Sequence, residues 1–126
     1  MTIRLFVYGT LAPGSDAWPV LARWATGTPC ADRVAGILYD TGRGYPAAVF
    51  GDDETAAPPH GTVHGYVVDL DPARATEALA ALDRYEGTEY KRITVRTAGG
   101  LEVATYAWTA PLNGCRPVAD GRWDRA

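Results

Sequence analysis

Asp71-Pro72-Ala73-Arg74-Ala75-Thr76-Glu77-Ala78-Leu79-Ala80-Ala81-Leu82-Asp83-Arg84-Tyr85-Glu86-Gly87 reads as one helix. Asp71 carries an acceptor side chain suited to an N-cap. Pro72 suits the first helical position, where a missing N–H is no loss. The pattern predicts a helix to about Glu86, with Gly87 suited to end it. At about 100° per residue, Ala75, Ala78, Leu79, Leu82 and Tyr85 gather on one apolar face, with Glu77 and Arg84 opposite. Glu86 falls only about 20° from Ala75, in the middle of that face.

Strand-like runs flank this helix on both sides. Upstream, Ile3 to Tyr8 is apolar and rich in β-formers, as expected of a buried first strand. It stops at Gly9-Thr10-Leu11-Ala12-Pro13-Gly14, a turn-forming loop. Ser15 or Asp16 is placed to cap a helix through about Ala25, with Pro19 in its first turn. Arg33 to Tyr39, Tyr45 to Phe50 and Thr62 to Leu70 read as strands, with Gly51 to Pro59 as a loop. Downstream, Tyr90 to Thr97 and Leu101 to Trp108 read as two strands joined at Ala98-Gly99-Gly100. Residues 111–126 look irregular. The order is β-α-ββ-β-α-ββ, an α+β pattern that suits a small mixed β-barrel of short strands with flanking helices. No internal repeat, linker or low-complexity tract divides the 126 residues, so the reading is a single domain over 1–126.

Composition narrows the function classes. Lys+Arg number 12 and Asp+Glu 15, a formal charge of −3, with no basic run. This balance argues against sequence-independent nucleic-acid binding. The 47% apolar content is ordinary for a chain that builds its own core. No run approaches about 20 apolar residues, so no membrane span is expected. The N-terminus enters a strand without a signal-peptide pattern, and the expected location is cytoplasmic. Cys30 and Cys115 are too few for a disulfide framework and are expected to be reduced, partly buried thiols. His60 and His64 lie in a loop–strand region, and the cysteines lack ligand spacing, so no metal site is expected. Nothing in the sequence speaks to oligomeric state.

Glu86 carries the chemistry. A carboxylate centred on a buried face is costly unless paired or protonated. Desolvation and the negative end of the helix dipole would both raise its pKa, towards the range a general acid–base needs. The wheel leaves a second reading open, in which Glu86 frays outward or pairs with Lys91 or Arg92. The Tyr8-Gly9-Thr10-Leu11 turn is the other candidate. A strand-to-helix turn presents consecutive backbone N–H groups that can cradle an anion, although a glycine after a strand is commonly just a turn. No Walker A or G-x-G-x-x-G pattern supports nucleotide binding. Tyr45, Tyr90, Tyr106 and Trp108 are pocket-lining candidates, and equally core candidates. Tyr106 leads them, because its strand is expected near the site.

Several stretches, in order, resemble the γ-glutamylcyclotransferase-like superfamily. Val7-Tyr8-Gly9-Thr10-Leu11 is similar to that family's Tyr-Gly-Ser/Thr-Leu turn. Val34 to Asp40, Gly44 to Val49 and Val63 to Val68 are similar to its strands. Leu82 to Gly87 with Tyr90-Lys91-Arg92 resembles its catalytic segment. Ala104 to Trp108 and Gly121-Arg122-Trp123 resemble its closing elements. The resemblance implies a small mixed barrel whose Tyr8–Leu11 turn holds the amino-acid end of a γ-glutamyl group through backbone amides. It implies Glu86 as the general acid–base in cyclisation to 5-oxoproline with release of an amine. That chemistry calls for no cofactor and no metal, and its partner is a small γ-glutamyl substrate. Many members carry a basic or polar residue soon after the turn, where this chain has Ala12-Pro13-Gly14. Three amine classes therefore stay open: γ-glutamyl amino acids, γ-glutamyl-lysine-type amines and γ-glutamyl groups on antibiotic intermediates. The alternative is a non-catalytic module binding a small carboxylate metabolite in the same pocket, because fold alone does not fix function.

Overall fold

The structure is a computed structural model that describes residues 3–50 and 61–123. Its central strand is the apolar run at the start of the chain, β1 (Ile3–Val7). β1 pairs antiparallel with β4 (Thr62–Leu70), from Ile3 opposite Leu70 to Val7 opposite Tyr66. On its other edge it pairs parallel with β6 (Glu102–Trp108), Leu5 opposite Ala104. The long β2 (Ala25–Asp40) runs along β4 and then along β3 (Pro46–Phe50). β5 (Tyr90–Arg96) pairs with β6, and the short β7 (Arg116–Pro117) with the end of β2.

The order is β3-β2-β4-β1-β6-β5, and the sheet curls until β3 lies against β6. The result is a nearly closed mixed barrel with few helices. One seam stays unclosed, and there the Tyr90 hydroxyl on β5 donates to the Pro46 carbonyl on β3.

Alternation along β1 sends its side chains to two cores. Leu5 and Val7 join Leu21, Trp24, Leu70, Ala78 and Leu82 on the side covered by the helices. Phe6 and Tyr8 join Val34, Leu38, Val63, Val67 and Val103 on the other. From Leu5 onward β1 is thus buried on both faces, as the apolar run Leu5 to Tyr8 predicts.

Four elements depart from the sequence expectations, one of them β7, a two-residue strand in the stretch expected to be irregular, formed because Arg116 and Pro117 pair with the end of β2. Helix α1 is only Trp18–Ala22, with Pro19 in its first turn, because Ala25 already pairs with Leu70 as the start of β2. The first half of β2 lies mostly in a stretch where the sequence pattern marks no strand, since Gly27, Thr28 and Pro29 break any alternation. A register shift between Thr26 and Cys30 absorbs them. Helix α2 (Ala75–Glu86) begins after Asp71-Pro72. Asp71 caps a separate turn instead, accepting the Ala73 N–H at 3.0 Å. α2 ends at Gly87, whose φ of 80° no other residue adopts readily. Both cysteines are free, and Cys30 is exposed rather than partly buried because its stretch of β2 faces solvent. Among the described residues, no helix is long and apolar enough to cross a membrane.

Candidate active site

The unclosed seam holds a cavity of about 370 Å³. Its walls include Gly9, Thr10 and Leu11 from the turn after β1, Glu86 from the end of α2, Tyr90 from β5 and Tyr106 from β6. Residues about a hundred positions apart therefore meet because β1 and β6 are parallel neighbours at the barrel's centre.

The turn is held close to β3. A Cβ on Gly9 would stand 2.7 Å from Cγ of Pro46, so only glycine lets the turn pack there. The Ala12 N–H donates to the Gly9 carbonyl at 3.0 Å, and the Ala17 N–H to that of Thr10 at 2.9 Å. The N–H groups of Gly9, Thr10 and Leu11 have no backbone acceptor among the described residues. Consecutive unpaired donors of this kind suit a carboxylate or a developing oxyanion.

Glu86 is half-buried on the cavity wall. Burial alone pushes its carboxyl up to about 7 from an ordinary 4.5. Among the described residues no ion pair or hydrogen bond engages its carboxylate. Arg92, one of the partners the wheel left open, instead pairs with Asp83 at 3.1 Å. Asp83 also accepts the Tyr106 hydroxyl at 2.6 Å. Glu86 in turn helps raise the phenols of Tyr8 and Tyr90, although burial is the larger cause for both.

The tyrosines divide by role in the fold. Tyr8 is buried and donates to the Tyr106 carbonyl, so its ring is wall and its hydroxyl is spent. Tyr106 lines the cavity with its hydroxyl held on Asp83; burial first, then that hydrogen bond, raises its phenol far above the ordinary value. Tyr45 and Tyr90 line the cavity, whereas Trp108 packs behind them, 5.2 Å from Tyr90 ring to ring.

Sequence reading missed several wall residues, Tyr85 and Glu89 among them. Tyr85 sits on the wheel's apolar face, yet it is 46% exposed and borders the cavity. Its place at the edge of the stripe was the available signal. Glu89 lies just past the helix, where no periodicity reaches; it pairs with Arg43 at 3.1 Å and also borders the cavity. Among the described residues, no cluster of three or more His, Cys, Asp or Glu could hold a metal. His60 lies outside those residues.

Residues 5–125 match the family described as "Gamma-glutamyl cyclotransferase, AIG2-like". The chain belongs to that family. A relative described as "Gamma-glutamylcyclotransferase family protein YtfP", from Escherichia coli K12, is 35% identical over 123 residues, covering 96% of each chain. The fold is shared with an uncharacterized protein, PH0828, from Pyrococcus horikoshii, at a TM-score of 0.71 and 23% identity over 97% of this chain and 90% of the other. It is also shared with an AIG2-like protein from Mus musculus, at 0.69 and 18% identity over 98% and 88%. The family supports a γ-glutamylcyclotransferase-like function, and the solved structures share the nearly closed barrel.

Proposed function

We propose that the protein cyclises a γ-glutamyl group to 5-oxoproline and releases an amine, with Glu86 as general acid–base. The observation that carries this reading is the unpartnered Glu86 carboxyl, raised to about 7, facing the same cavity as the free N–H groups of the Gly9–Leu11 turn. A group poised near neutrality exchanges protons in both directions at working pH.

The reaction needs little else. The substrate's α-amino nitrogen attacks its own γ-carbonyl carbon, forming the ring C–N bond. Ionised Glu86 takes the proton that this nitrogen sheds. The tetrahedral intermediate collapses by breaking the original amide C–N bond, and Glu86 returns the proton to the departing amine. Atoms balance without water, oxidant or reductant. Turn N–H groups hold the α-carboxylate or the oxyanion, and the rings of Tyr90 and Tyr106 exclude water around the reacting atoms. Tyr8 acts through its packing rather than its hydroxyl.

The test is an assay of 5-oxoproline release from a panel of γ-glutamyl compounds, including glutathione, γ-glutamyl-alanine and γ-glutamyl-lysine, with Glu86→Gln as control. Release by the wild type and not by the variant supports the reading. Equal release by both overturns the role of Glu86. No release from any compound favours a binding role for the cavity.

A further inference from the structure

A second cavity, of about 500 Å³, shares Tyr8 with the first and reaches Ala12 just past the turn, but neither Glu86 nor Gly9–Leu11 is among its walls. It is built on the outer side of the β2–β4 pairing. Arg33 on β2 stands opposite His64 on β4, and Ala31 opposite Tyr66. Strand alternation puts these four side chains on one face. The segment after β7 is laid across the end of β4, where the His64 N–H donates to the Gly121 carbonyl at 2.9 Å. Gly121 has φ of 67°, and a Cβ there would stand 1.7 Å from the Thr62 carbonyl oxygen, so glycine is required for this close crossing. The crossing delivers Arg122 and Trp123 to the same groove.

The charges in the groove are unevenly matched. Neither Arg33 nor Arg122 takes part in an ion pair among the described residues. Asp32 lines the groove too and attracts the Arg33 guanidinium, but its carboxylate is also engaged by the Thr97 side chain and by the backbone N–H groups of Arg33 at 2.8 Å and Gly99 at 3.2 Å, which leaves the Arg122 charge without an acidic partner among the groove's walls. Burial, then the guanidinium groups of Arg122 and Arg33, push the His64 imidazole below its ordinary value, with Asp120 opposing. Two guanidinium groups thus converge from separate elements in a chain of net charge −3. Tyr66 beside them is 38% exposed, a large ring left open to solvent.

We propose that this groove is a second ligand site, binding a small organic oxyanion that carries a planar ring. Arg33 and Arg122 hold the phosphate or carboxylate, for which the guanidinium fork is shaped. Tyr66 offers its face to the ring, and Trp123 and His64 wall the slot. The cavity falls within the range of small-molecule sites. The site stands apart from Glu86, so it does not depend on the cyclotransferase reading.

The test uses the isotope-labelled full chain, titrated by NMR with four probes. Adenosine monophosphate joins a ring to a phosphate, and indole-3-carboxylate joins a ring to a carboxylate. Adenosine and inorganic phosphate each supply one half. The expected result is saturable binding of one or both ring-bearing anions, with Kd below about 1 mM and each half alone at least about tenfold weaker. Which anion binds identifies the oxyanion. Shifts are expected at His64, Tyr66 and the Trp123 indole. Arg33→Ala and Arg122→Ala, both at exposed positions, should each weaken binding by about tenfold, while Glu86→Gln leaves it unchanged. The proposal is overturned if neither ring-bearing anion binds by about 10 mM, if both folded arginine variants bind as wild type, or if the shifts centre on Gly9–Leu11.

Discussion

Asp83 and Glu86 stand one turn apart at the end of α2, and the fold gives their carboxylates opposite surroundings. Asp83 is half-exposed and fully partnered, by the Arg92 guanidinium on one side and the Tyr106 hydroxyl on the other. Glu86 is half-buried beside a cavity and has no partner among the described residues. The first joins α2 to β5 and β6. The second keeps its proton up to about neutral pH. Position on a helix wheel distinguishes the two faces, but the presence of a partner decides which carboxylate is tied into the fold and which is left facing the cavity.

The largest test of this contrast is catalytic. Glu86→Gln should fold and lose about 10²–10⁴-fold in 5-oxoproline release, and the wild-type kcat/KM should rise with pH through about 7 as Glu86 ionises. A profile already flat at pH 5 would break the assignment.

Stability gives the next effect. Protonated Glu86 is favoured by the folded state, so its contribution is complete below the unfolded value of 4.5 and is lost as pH rises to about 7. Denaturant melts should therefore find Glu86→Gln more stable than wild type at pH 8, by on the order of 2 kcal/mol, with the advantage vanishing by about pH 4.5.

Asp83→Asn should do the opposite and do less. It loosens the Tyr106 hydroxyl and the Arg92 pair, lowering stability by about 1 kcal/mol at neutral pH. Any fall in turnover should be smaller than that of Glu86→Gln. If Asp83→Asn proved the more damaging to turnover, the two carboxylates would have to exchange roles. Arg92→Ala is the smallest change. Its ion pair is open to solvent, and thermal melts should shift by less than about 0.5 kcal/mol.

Much of the fold was legible where local chemistry acts alone. Thr62–Leu70 matches its expected strand end to end, and β1, β3, β5 and β6 differ by only a residue at one end. The early half of β2 was illegible because its pairing with β4 holds it extended against its own glycine and proline. Asp71-Pro72 offered a good local cap, yet the helix starts at Ala75, since the chain first turns back as the Asp71 N–H bonds to the Trp24 carbonyl at 2.9 Å. At the cavity, Glu86 and the turn were legible as an anomaly of charge and a break after a strand. Glu89 was not, because it breaks no pattern where it stands, and Tyr85 left only its place at the edge of the apolar stripe as a signal.

The α+β pattern, the apolar face of α2 and the misplaced carboxylate on it all follow from periodicities within a few residues of the chain. It takes the folded sheet to send Arg92 to Asp83 and leave Glu86 alone, to bridge the seam from Tyr90 to Pro46, and to bring Arg33 and Arg122 into one groove. These depend on strand order and register, and a parallel β1–β6 pair linking residues about a hundred positions apart leaves no mark in local spacing.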